Sequence, residues 1–85
     1  MVTFQYQVKD PVGLHARPAG QLVKFVKGCK SSVSIQKSEK KVDATRLLAV
    51  MGLAVKQNDI VVFTLEGDSE NEDCKALEAF CEKNL

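Results

Sequence analysis

The stretch Gly13-Leu14-His15-Ala16-Arg17-Pro18-Ala19 contains the only histidine of an 85-residue chain, and its reading decides how the rest is arranged. Past Pro18, the apolar residues Ala19, Leu22, Val23 and Val26 recur at i, i+3, i+4 and i+7, which is one face of a helix stopped by Gly28. The spacing predicts a helix from about Ala16 to Lys27, with His15 at or just before its N-terminus. Gly20 weakens that helix by roughly 0.5–1 kcal/mol relative to alanine, unless the close approach of a partner requires the missing side chain.

A helix N-terminus has chemical consequences. Its first amide N–H groups have no partner inside the helix, and the aligned peptide dipoles place partial positive charge there, so an anion is stabilised. Pro18 has no N–H, which leaves the amides of Ala16 and Arg17 as donors if His15 is the N-cap. Arg17, preceding proline, is biased away from helical dihedrals, which can shift the boundary by a residue or two. A histidine before a helix is in general only a polar cap. An imidazole beside free amides and a guanidinium, however, suits a nucleophile that receives a phosphoryl group and then holds its charge.

The whole chain sets bounds on this reading. Eighty-five residues make a single small domain, expected over residues 1–85, and 45% hydrophobic with 27% charged residues is an ordinary globular composition. No apolar run approaches the roughly 20 residues that span a bilayer, and the N-terminal residues alternate like a strand, so a cytoplasmic location without membrane insertion is expected. Residues 1–42 carry 8 basic and 2 acidic side chains, and residues 43–85 carry 4 basic and 9 acidic, so a net charge of +1 conceals halves of +6 and −5. A grouped basic half favours an anionic ligand or an acidic protein surface. Cys29, Cys74 and Cys81 lack metal-ligand spacing and read as small hydrophobes or free thiols; no metal or cofactor is expected.

Working outward, Thr3 to Val8 alternates with period two and places Phe4, Tyr6 and Val8 on one face of a strand. Ser32 to Gln36 alternates again and is joined through Lys37-Ser38-Glu39-Lys40 to a short strand at Lys41 and Val42, a hairpin without the Asn-Gly or Asp-Gly turn. A short helix from Thr45 or Arg46 to Gly52 has Asp43 or Thr45 as N-cap candidates. It has more apolar residues than it can bury, with at least one of Leu47, Leu48 and Met51 expected in the core. Ile60 to Leu65, the most hydrophobic strand, is expected at the centre of the sheet. Ser69 and Glu72, at capping-box spacing, open a last helix whose buried stripe is Cys74, Leu77, Phe80 or Cys81, and Leu85.

The order β-α-β-β-α-β-α predicts an α+β open-faced sandwich, a four-stranded, mostly antiparallel sheet with three helices on one face. Such an order does not decide function, since nucleic-acid-binding and small-molecule-sensing domains share much of it. An RNA-binding module needs exposed aromatics on its central strands. Here Phe4, Tyr6 and Phe63 occupy expected core positions, so no nucleic-acid partner is predicted.

The seven residues from Gly13 to Ala19 resemble the active-site motif of HPr, the histidine-containing phosphocarrier family of the bacterial phosphoenolpyruvate-dependent sugar phosphotransferase system. Chain length and element order extend the resemblance over essentially the whole chain. It implies that His15 is phosphorylated on Nδ1 by phospho-enzyme I and passes the group to sugar-specific enzyme II components, the enzyme IIA units of sugar permeases. Arg17 and the amides of Ala16 and Arg17 would hold the phosphate. The family's docking surface maps onto Ala16, Gly20, Gln21, Lys24 and Lys27 of the first helix and Leu47, Leu48 and Met51 of the second. Such a protein is a co-substrate of other enzymes more than a free-standing enzyme, and the size of the expected patch, suited to brief encounters, favours a monomer.

The chain departs from the family at one place. Where many members carry a regulatory serine at the start of the second helix, this sequence has Arg46, so no regulatory phosphorylation site is expected there, and Thr45 reads as a helix cap. The alternative function is an HPr-like regulator that binds proteins without phosphotransfer. Such relatives are expected to have lost the histidine that this chain retains.

Overall fold

Period-two alternation in four segments and helical spacing in three others resolve into β1 (Val2–Gln7), α1 (Ala16–Lys27), β2 (Ser32–Lys37), β3 (Lys40–Asp43), α2 (Leu47–Gly52), β4 (Ile60–Glu66) and α3 (Glu70–Asn84). The computed structural model describes residues 1–85. The strands form one sheet in the order β1-β4-β2-β3, and every pairing is antiparallel. The expected α+β sandwich is therefore the observed fold, and β4 is central as its composition required.

Alternation decides which residues meet the helices. Val61, Phe63 and Leu65 of β4 and Val33 and Ile35 of β2 are buried beneath Leu22 and Val26 of α1, Val50 of α2, and Leu77 and Cys81 of α3. Phe4 pairs with Phe63 across β1 and β4, their rings stacked with centroids 5.1 Å apart, and Phe25 stacks on Phe80 at 4.7 Å to join α1 to α3. On the uncovered face, Thr3, Thr64 and Ser34 share one row and Gln5, Val62 and Gln36 the next.

Several local expectations are corrected. β1 begins at Val2 and ends at Gln7; Val8 continues its inward row, but its backbone bonds to Asn58 and Asp59. Arg46 is the N-cap of α2 and makes no side-chain cap bond. Asp43 instead accepts hydrogen bonds from the Thr45 amide and hydroxyl at 2.9 and 2.7 Å, closing the turn ahead of the helix. The Ser69–Glu72 capping box does not form. Ser69, at φ −107° and ψ 21°, lies outside the extended geometry an N-cap needs, and Glu70 reaches back to the Gly67 amide at 3.2 Å. Cys81 is wholly buried and burial pushes its thiol up to about 12, which suits its reading as a small hydrophobe; Cys29 and Cys74 are half-buried free thiols.

One polar contact ties the two ends of the helical layer together. Asp73 of α3 accepts from the Ser31 hydroxyl at 2.6 Å and from the amides of Ser31 and Lys30 at 2.9 and 3.1 Å. Those bonds, the hydroxyl's first, hold its carboxyl below the usual range. A depressed carboxyl contributes stability above its unfolded value of about 3.9 and loses it as pH falls through the lower native value. Melting followed from about pH 5 down to about pH 2 is expected to decline more steeply for the wild type than for Asp73→Asn. Ser31→Ala should cost about 1 kcal/mol at neutral pH.

Candidate functional site

His15 is the N-cap of α1, with extended backbone at φ −84° and ψ −174°, and its carbonyl accepts the first helical bond from Ala19 at 2.9 Å. Pro18 is buried and has no N–H, so the unclaimed donors of the first turn are the amides of Ala16 and Arg17. Helical dihedrals persist through Arg17 despite the following proline. The imidazole is 40% exposed and its Nε2 stands 4.0 Å from Asp10 Oδ1. Asp10 also accepts the Val12 amide on Oδ1 at 2.9 Å and the Gly13 amide on its carbonyl at 2.9 Å. It therefore shapes the loop that delivers the histidine, an Asx-turn arrangement visible in the Asp10-Pro11-Val12-Gly13 sequence only once its partners are known.

The loop is held from behind. Gly13 adopts φ +77°, and a Cβ there would lie 2.3 Å from Val55 O and 2.7 Å from Lys56 Cα. Leu14, buried, donates its amide to Val55 O at 3.0 Å. Backbone thus meets backbone immediately before His15, at a position where no side chain fits.

The other residues singled out in the sequence divide by distance from His15. Ala16 and Arg17 are exposed in the first turn. Gln21, Lys24 and Lys27 are exposed farther along α1, where a rise of 1.5 Å per residue puts Lys27 about 18 Å from the helix start. It is too far to touch a group on His15. Gly20 is half-buried, with nothing within 4 Å of a Cβ built on it. On α2, which packs against α1, Leu48 is 82% exposed, Leu47 39% and Met51 36%. None of the three enters the core, contrary to expectation: a helix of six residues offers one inward position, and Val50 fills it. Neither helix carries an acidic residue, and Arg17, Lys24, Lys27 and Arg46 take part in no ion pair. The result is an exposed apolar patch with a cationic border. No three His, Cys, Asp or Glu side chains come together as a metal site.

A family model described as the PTS HPr component phosphorylation site matches residues 2–83. This chain belongs to the HPr family. It is similar to the phosphocarrier protein HPr of Lysinibacillus sphaericus, 40% identical over 77 residues, covering 91% of this chain and 88% of that protein. It is also similar to the HPr-like protein Crh of Halalkalibacterium halodurans, 39% identical over 83 residues, with 98% and 99% covered. The crystal structure of HPr-C-His from Thermoanaerobacter tengcongensis superposes with a TM-score of 0.92 at 36% identity, covering 99% of this chain and 94% of that one. The HPr motif read in residues 13–19 is therefore set in the HPr fold, which accounts for the element order and the short second helix.

Replacing Gly13 by alanine tests the support behind the histidine. The left-handed backbone alone disfavours a side chain by about 1–2 kcal/mol, and the contact with Val55 O adds to it. Gly13→Ala is expected to lower the melting temperature by on the order of 10 °C, read by circular dichroism.

Proposed function

We propose that this HPr family member is a phosphocarrier that accepts a phosphoryl group on Nδ1 of His15 from phospho-enzyme I and hands it to enzyme IIA components of sugar permeases. The observation that carries the reading is the setting of His15: half-exposed, at a helix N-terminus with two free amides, and flanked by an unpaired Arg17. In the accepting step the Nδ1 lone pair attacks phosphorus, a new N–P bond forms, and the N–P bond to the donor's own histidine breaks. The arriving charge is met by the Ala16 and Arg17 amides and the Arg17 guanidinium. The proton stays on Nε2, on the side of the Asp10 carboxylate, where it is favourably placed once the ring has become cationic. Transfer onward is the reverse of the same exchange, so the carrier needs no group of its own besides the imidazole.

Docking is assigned to Ala16, Gly20, Gln21, Lys24, Lys27, Leu47, Leu48 and Met51. Apolar side chains exposed at the centre, with cations around them, suit brief encounters with an acidic partner. The open space over Gly20 lets a partner's backbone approach α1 closely. Arg46 extends the cationic border and removes the hydroxyl that serine-directed control requires. We assign the protein to the cytoplasm and to a monomeric state; no helix is long and apolar enough to cross a membrane.

A binding-only regulator is the second reading, favoured by the similarity to the HPr-like protein Crh. Intact mass after incubation with phosphoenolpyruvate, Mg²⁺ and a bacterial enzyme I separates the two. The carrier gains one acid-labile phosphate that His15→Ala does not, whereas a regulator gains none. Incubation with HPr kinase and ATP is expected to add no mass to either protein, and a labelled product would overturn the assignment of Arg46.

A further inference from the structure

We propose that Lys37, at the end of β2, is a positioning residue for His15, because its ammonium locks the α2–β4 loop on which the histidine's loop rests. The proposal builds on the carrier reading above. Lys37 Nζ donates to Ala54 O at 2.8 Å and lies 3.0 Å from Asp59 Oδ2, so one cation grips both ends of the segment Ala54–Asp59. Asp59 Oδ2 in turn accepts the Lys56 amide at 2.8 Å. The contact is partly shielded, with the Lys37 and Asp59 side chains 27% and 33% exposed.

At its far end the segment is also tied by the Val8 backbone, bonded to the Asn58 amide at 2.7 Å and the Asp59 carbonyl at 3.0 Å, and by Gln57 Nε2, which donates to Lys9 O at 3.2 Å; at the Ala54 end the only side-chain bond is the one from Lys37. Ala54 and Asn58 have φ of +54° and +75°; asparagine tolerates this left-handed conformation, but alanine keeps it only when its surroundings impose it. Val55 is its only buried side chain. Yet the segment supplies the surface against which Gly13 packs, and Val55 O receives the Leu14 amide at 3.0 Å, one residue before His15. Lys40 Nζ, from the same hairpin, reaches Gly52 O at 3.4 Å at the end of α2. The hairpin thus sets the position of the loop, the loop sets Gly13 and Leu14, and these set the start of α1. Lys37 itself touches none of the residues assigned to phosphate or partner binding, so its effect runs through the Ala54–Asp59 loop.

Lys37→Met keeps most of the stem and removes the cation; Lys37→Arg keeps the cation; Lys41→Met removes a lysine of the same hairpin whose side chain makes no hydrogen bond or ion pair. Two measurements decide. Amide hydrogen exchange is expected to quicken at Leu14 by about tenfold in Lys37→Met, with the β4 amides unchanged, and to remain at the wild-type rate in Lys37→Arg and Lys41→Met. Phosphoryl transfer from enzyme I at limiting carrier is expected to fall about tenfold in Lys37→Met alone. Exchange at Leu14 unchanged in Lys37→Met, or raised equally in β4, overturns the proposal, as does transfer that Lys37→Arg fails to rescue. Absence of any transfer to the wild type is instead a failure of the carrier reading, and the exchange measurement still decides the positioning role.

Discussion

The contact between Gly13-Leu14 and the backbone at Val55-Lys56 is the constraint on which the functional half of the molecule depends. It joins two loops with no common secondary structure, and it does so by backbone alone, through one amide-to-carbonyl bond of 3.0 Å and one position where no Cβ fits. With the Asp10 turn it sets how the chain enters α1 on the His15 side. The extended residue 15, the proline in the first turn and the amides left free are local consequences of where the chain is made to enter α1. On the other side stands the loop after α2, bonded in its turn by Lys37 of the β2–β3 hairpin.

Much of the fold was legible because it rests on patterns within one element. The i, i+3, i+4, i+7 spacing from Ala19 to Val26 marked α1 as a helix, and the run from Ile60 to Leu65 announced a central strand. What was not legible depends on partners distant in sequence. Asp73 bonds Ser31 across 42 positions, and Lys37 reaches Ala54 across 17, and neither pairing leaves a local trace. The Ser69–Glu72 spacing misled for the converse reason, since the motif was present but the backbone at Ser69 was not in the conformation that uses it. The same distinction applies to the site. His15 and its neighbours could be read in a row, whereas the support beneath Gly13 could not. The outward turn of Leu47, Leu48 and Met51 was half visible, because counting apolar residues shows a surplus without saying which of them remain outside.

Membership of the HPr family gives that surplus a physical sense. On the proposed carrier reading, a protein that meets several partners in turn would neither bury its recognition surface nor bind any one of them for long. The six-residue α2 would meet both demands, since it commits Val50 to the core and leaves Leu47, Leu48 and Met51 exposed. The cations of α1 and Arg46 would then add long-range attraction to an acidic partner, raising the rate of meeting without requiring deep contact.

The sheet order has a consequence for how the chain comes to be folded at all. β4 is the last strand in sequence and yet lies between β1 and β2, pairing with both. While the chain is still being synthesised, β1 has no neighbour to join, and the β2–β3 hairpin can form only as an isolated ribbon of marginal stability. The hydrophobic layer closes only when Phe63 and Leu65 arrive, so assembly waits for nearly the full chain and is governed by contacts between its two ends. The histidine motif, translated early, acquires its working geometry only at that point, because Val55 and the strand that follows it are what hold it in place.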